Sequence, residues 1–152
     1  MAVKSKGVGG WLLALALILG VLIPLAQFSS IRALIANEDA IRALYGENWP
    51  VYQTLSIAVI TARTIICLWV AYMVVYKFVP STPRLAVYGI WVALVLLNIL
   101  SLGLVTIFSP APFLFSYAIT YMFWNVLFCA IATAYLLKSK YVVQLYSVQI
   151  LS

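Results

Sequence analysis

The length of its apolar runs restricts this chain most. Four blocks, interrupted only by isolated polar residues, each reach the ~18 residues that a helix needs to cross a hydrocarbon core of roughly 30 Å. At that depth no water meets bare N–H and C=O groups, so each block is expected to close its own backbone hydrogen bonds as a helix. Composition agrees: 66% of the 152 residues are hydrophobic and 8% are charged, whereas soluble domains carry about a quarter charged residues. A soluble fold of this length would leave large apolar faces open to water and self-association. The chain reads as an all-α integral membrane protein.

The blocks cover residues 10–28, 53–78, 85–108 and 113–137. Lys4 and Lys6 ahead of the first block also fit a signal peptide. Its apolar stretch is long for that role, and the residues near Ala26 make a poor cleavage site, so a retained anchor is expected. Pro24 is expected to kink this helix. Pro50 suits the first turn of the second helix, where its missing N–H is no loss. Val79 to Arg84 and Ser109 to Pro112 are short connections, which force antiparallel neighbours. One compact four-helix transmembrane bundle over 1–152, without a separate domain, is the expected architecture.

Charge sets the direction. With the N-terminus inside, the inner segments carry six cations, Lys4, Lys6, Lys77, Arg84, Lys138 and Lys140, against Arg32 and Arg42 outside. The three acids, Glu38, Asp39 and Glu47, also fall outside. This asymmetry predicts cytoplasmic termini and makes the inner cations candidate contacts for anionic lipid. Trp11, Trp49, Tyr52, Tyr76, Tyr88 and Tyr117 fall near span ends, where amphipathic rings prefer to sit. The net charge of +6 is dispersed over span ends rather than gathered on one face, which argues against nucleic acid as a partner.

Residues 29–50 form the one long connection. Ile31, Leu34, Ile35, Ile41, Leu44 and Tyr45 recur there at helical spacing, with Ser30 as a start signal, Gly46 as a stop and Glu38 four residues before Arg42. An extracytoplasmic amphipathic helix between spans one and two is expected. It is either a plain connector or a lid or docking loop built on Arg32, Glu38, Asp39, Arg42 and Glu47.

Arg63 is the one charged residue in the interior of a span, and no span carries an acid to pair with it. Counted from Leu55, it lies ~12 Å along the second helix. Asn98 and Asn125 fall at similar depth in the third and fourth spans, so Arg63, Asn98 and Asn125 are expected to form a polar layer. Charges at this depth face the bundle or a wet cavity. Three readings stand: an arginine satisfied by amides and water, one whose counter-charge comes from a partner protein or anionic lipid, and one that binds an anionic ligand. The pairs Ala16 and Gly20, Ala58 and Ala62, and Ala130 and Ala134 permit close backbone approach, within the chain or to another protein.

Several chemistries lack their residues. Without histidine or intramembrane acids, neither haem nor a hydrolytic metal site is expected, so no cofactor and no metal is assigned. Cys67 and Cys129 lie in mid-span and read as small core residues. Gly7, Gly9 and Gly10 precede a membrane helix rather than follow a strand, which fails the context of a dinucleotide loop. No base accompanies the serines, and no catalytic residue is assigned.

Gly7-Val8-Gly9-Gly10-Trp11-Leu12-Leu13, Tyr76-Lys77-Phe78 with Pro80, Pro83 and Arg84, and Tyr135-Leu136-Leu137-Lys138-Ser139-Lys140 together resemble a family of four-span bacterial inner-membrane proteins known as domain of unknown function number 2569. The resemblance covers nearly the whole chain. It implies a multi-pass bacterial inner-membrane location and names no reaction. Tyr141 and Val143 depart from the polar, basic ending of that family and leave an apolar stretch from Tyr141 to Leu151 that can lie along the inner membrane surface. The leading expectation is an accessory or structural protein associating with another integral membrane protein or with itself. The alternative is a binding or transport module for an anionic lipid or small solute anchored by Arg63.

Overall fold

The computed structural model describes residues 10–108 and 113–147. Lys4, Lys6, the glycines at 7 and 9 and the connection Ser109 to Pro112 lie outside the described residues. Among the described residues every regular element is helical. Four helical stretches are long and apolar enough to cross a membrane: Gly10–Ala36, Gly46–Tyr76, Thr82–Phe108 and Ile119–Lys138. The protein is a multi-pass all-α membrane bundle.

The first span consists of α1 (Gly10–Leu17), a wide turn over Ile18–Leu22 and α2 (Ile23–Ala36). Ile23 N–H bonds to Ile18 O, five residues back, so the turn is of the π type. It lies just ahead of Pro24, which has no N–H to give and whose ring crowds the preceding turn. The irregularity expected from Pro24 is thus absorbed by widening. The helix then continues to Ala36, well past residue 28. Ser30 caps nothing: Ser29 and Ser30 donate back to Leu25 O and Ala26 O at 3.1 and 3.0 Å within the same helix.

The break comes at Asn37. Its N–H and its side-chain amide both take Ala33 O, at 3.1 and 2.9 Å, and its backbone leaves the helical region. α3 (Glu38–Tyr45) follows, with Glu38 and Asp39 in its first turn and Arg42 in its last, the arrangement the helix dipole favours. Gly46 ends it with φ +58, a conformation that L side chains resist. After one 3₁₀ turn, α4 (Trp49–Tyr76) starts with Pro50 in its first turn. The buried Trp49 donates its indole N–H to Glu38 at 3.4 Å, while Tyr45 stacks on Tyr52 at 4.2 Å. These contacts fasten α3 to the start of α4. This side of the bundle is called the loop end below.

At the opposite side, the turn end, Thr82 is buried, donates its hydroxyl to Lys77 O at 2.8 Å and gives its N–H to Val79 O. Together these bonds fold the chain sharply into α5 (Thr82–Trp91). A second π turn, Val92–Leu96, joins α5 to α6 (Leu97–Phe108). The remaining helices are α7 (Phe113–Lys138) and α8 (Lys140–Ser147). α4 is central, packed by the first span on one side and by α5 and α6 on the other, and α7 packs on α5 and α6.

The close-packed core occupies the turn half. Leu12, Leu15 and Leu19 meet Cys67, Val70 and Val74, then Ile90 and Leu94, then Cys129 and Leu136. Both cysteines are free and buried there. Small residues make the approach possible: Ala16 is buried, and a Cβ on Gly20 would lie 3.1 Å from Ala71 Cβ. At Gly89 an added Cβ would run into the Val70 side chain. Ala58, Ala130 and Ala134 are exposed instead. One face of the described tail packs on the bundle. α8 turns Val142 and Tyr146 into the core, and Tyr146 donates its hydroxyl at 2.6 Å to Val74 O, one of the carbonyls that the end of α4 leaves open.

Two outcomes test this packing. Gly89→Val overfills the α4–α5 contact and should cost about 1–3 kcal/mol, read as a lower melting temperature in detergent. Gly103→Ala, with nothing within 4 Å of an added Cβ, should melt no lower than the parent protein. Burial pushes the Tyr146 phenol up from 10.0 to about 12. The unfolded phenol then ionises first, so the stability Tyr146 confers is full below about pH 10 and lost as pH rises towards about 12. Tyr146→Phe should lower stability by about 1 kcal/mol near neutrality, with the gap to the parent protein closing over that alkaline window.

Candidate functional site

Arg63 stands at the middle of α4, roughly 20 Å of helix from either end. It is 5% exposed. One terminal nitrogen, Nη2, donates to Asn98 Oδ1 and to Ser101 Oγ, the latter at 3.4 Å. Its Nε is buried with no hydrogen-bond partner among the described residues. Neither Asn98 nor Ser101 carries a carboxylate. A guanidinium in mid-bundle is thus held by two neutral oxygens, and its Nε–H is unpaired among the described residues.

The second π turn prepares this contact. It places Asn98 two residues past the widened segment, 8% exposed and turned inward. The Asn98 amide nitrogen donates to Leu94 O, a carbonyl inside the widened turn. With its N–H side so engaged, Asn98 has its oxygen free for Arg63. Ser101, three residues on, shares that helix face and gives its own hydroxyl proton to Leu97 O at 2.9 Å. Both acceptors are therefore oriented before the arginine meets them.

The structure brings Arg63 and Asn98 together and does not bring Asn125 to them. Asn125 is half-buried and donates to Tyr121 O of its own helix at 2.7 Å. Thr61 and Thr64 likewise satisfy themselves on Ile57 O and Ile60 O. Of the charged residues, Arg32, Asp39, Arg42 and Glu47 are exposed around the loop end, and Glu38 is half-buried against Trp49. Lys77, Arg84, Lys138 and Lys140 are exposed at the turn end. Sequence reasoning missed Ser101 and the buried Gln27. The i, i+3 spacing from Asn98 was the available signal for Ser101; nothing marked Gln27.

Two clefts adjoin the arginine's partners. The larger, about 380 Å³, lies at the loop end among Ser30, Asn37, Tyr52, Ser56, Ile60 and Ser101. Tyr52, Ser56 and Ile60 follow one face of α4 at helical spacing, and the next residue on that face is Arg63. Ser101 and Val105 mark the facing side on α6. The cleft therefore descends from the aromatic clasp of α3 and α4 towards the guanidinium. A second cleft of about 110 Å³ lies between α6 and α7, and Asn98, Ser101, Val105 and Tyr121 line it. Among the described residues no three His, Cys, Asp or Glu side chains gather as a metal site.

The asymmetry of this contact predicts an asymmetry in its mutants. Asn98→Leu strands the buried guanidinium and should cost about 1–3 kcal/mol or more. Arg63→Leu removes the charge along with its needs and should cost less. Combining Arg63→Leu with Asn98→Leu should recover part of the Asn98→Leu loss in thermal or chemical unfolding in detergent.

Comparison with curated proteins and with solved structures gives no match. A family model described as a protein of unknown function matches residues 5–147, which takes in all four spans, the Arg63 contact and α8. The chain belongs to that family, DUF2569.

Proposed function

We propose that the protein is a membrane-embedded binding protein for an anionic headgroup, carboxylate or phosphate, admitted through the loop-end cleft and anchored by Arg63. The observation that carries the reading is the buried Arg63 Nε without a partner among the described residues, on an arginine bonded to Ser101 and one helical turn beyond Ile60, two residues that line a cleft edged with hydroxyls and an amide. A mid-membrane charge is costly unless it is neutralised, and the chain's own acids lie on residues 38–47 at the loop end. A ligand would supply the missing negative charge. The 3.4 Å contact from Arg63 to Ser101 is the weaker of its two bonds and the one an incoming oxygen would replace. Charge asymmetry supports placing the protein in a bacterial inner membrane with both termini cytoplasmic, so that the cleft opens outwards.

The test is native mass spectrometry of protein released from nanodiscs, with bound lipids and small anions identified. The parent protein should retain an anionic ligand. Arg63→Leu should lose it, Arg63→Lys should keep it in part, and Ala33→Trp should exclude it by filling the cleft with Arg63 intact. Displacement by acetate or inorganic phosphate would mark a soluble anion, and resistance to both a lipid headgroup. Unchanged ligand content in Arg63→Leu would overturn the proposal. If that variant instead lost an integral membrane partner or its self-association, the accessory role would take its place.

A further inference from the structure

A third cleft, independent of Arg63, lies at the turn end of the bundle. It holds about 350 Å³ between Pro80, Pro83 and Arg84 at the start of α5, Leu136 and Leu137 at the end of α7, and Val143 of α8. We propose that this cleft is a binding site for an anionic glycerophospholipid, with the phosphate on Arg84 and one acyl chain along Leu136, Leu137 and Val143.

Three features commit the site to that occupant. The first is its level. The second span ends at Tyr76, the third begins at Thr82 and the fourth ends at Lys138, so the cleft straddles the boundary between apolar and polar surroundings. A ligand there needs a polar head and an apolar body. The second is charge. Lys77, Arg84, Lys138 and Lys140 all belong to this end, and the three acids of the chain lie at residues 38–47, beyond the far end of a helix roughly 42 Å long. Among the described residues the only charged one in the cleft lining is Arg84, whose planar fork can meet two phosphate oxygens at once.

Preformed walls are the third feature. Proline at 80 and 83 fixes the chain on one side. On the other, α8 is held in place by the Tyr146 hydroxyl on Val74 O and by the Tyr146 ring, 5.7 Å from Phe78. Tyr146 itself forms part of the cleft wall. The apolar groove is thus built into the fold and needs no ligand to assemble it.

Nanodiscs of mixed phosphatidylglycerol and phosphatidylcholine test the site, with retained lipid counted by native mass spectrometry after transfer to detergent. The parent protein should retain phosphatidylglycerol in preference to phosphatidylcholine. Arg84→Gln should lower that retention about tenfold or more, the loss expected when a charged hydrogen-bond donor is removed. Val143→Trp should lower it by filling the groove while Arg84 remains. Lys77→Gln removes a cation from the same end but not from the cleft lining, and should leave retention near the parent level. Arg63→Leu should also leave it unchanged, which separates this site from the Arg63 cleft. Melting temperatures for each variant identify any loss caused by unfolding. Equal retention of the two lipids, equal effects of Arg84→Gln and Lys77→Gln, or displacement of the lipid by inorganic phosphate would each overturn the proposal.

Discussion

A positive charge fixed at the middle of the bundle, with no acid in the interior of any span, is the constraint around which the rest of this structure is arranged. Burying a guanidinium demands acceptors with their own polar needs already met. Asn98 and Ser101 fulfil that condition, because each first gives a proton to a carbonyl of its own helix. The π turn ahead of Asn98 is part of the same solution, since a side-chain amide takes up one of its carbonyls. Polar groups on α6 are therefore organised locally before the long-range contact to α4 forms.

The bundle divides at the level of Arg63. On the turn side, glycine and alanine bring the first span and α5 against α4, and leucine, valine and cysteine fill the interior. On the loop side, the larger cleft lies among α2, α3, α4 and α6. The division follows from what each half contains. A buried charge with an unspent N–H resists close apolar packing, because sealing it in lipid-like surroundings would cost more than the dispersion contacts return. The loop end is instead held together at its rim, where Tyr45 stacks on Tyr52, Tyr52 meets Phe108 edge-on at 6.2 Å and Trp49 bonds to Glu38.

Much of the helical architecture was legible in the sequence because membrane helices are dictated by hydropathy, and hydropathy needs no tertiary information. The stop at Gly46 and the entry at Pro50 were legible for a similar reason, since each depends on a single residue's backbone chemistry. The boundary near residue 28 was not, because Ser29 and Ser30 satisfied their hydroxyls within the helix rather than ending it. Asn37 made the corner instead, through a side-chain bond no hydropathy plot contains. At the site, shared depth suggested Arg63, Asn98 and Asn125 as one layer, but depth says nothing about rotation. Asn125 is turned to its own helix, whereas Ser101 meets Arg63 by lying on the same face as Asn98. The packing of α8 was not legible for a further reason: its apolar positions suit a membrane surface and a protein core equally well, and the Val74 carbonyl that receives Tyr146 is a feature of the folded end of α4.

The two ends of α4 also present their charges differently. At the loop end acids and bases are mixed, and Glu38 is engaged with Trp49, so an anion approaching from that side meets little net attraction until it nears Arg63. At the turn end the cations stand without acids, and the attraction is spread over the whole surface. Selectivity at the first site must therefore come from depth and desolvation, which strengthen a single contact. At the proposed lipid site, a generally attractive surface would gather anionic lipid, and only the shape of the groove beside Arg84 would distinguish one position from its neighbours. A single buried arginine and a single exposed one would thus act by opposite means, the first through exclusion of water and the second through the fit of an acyl chain.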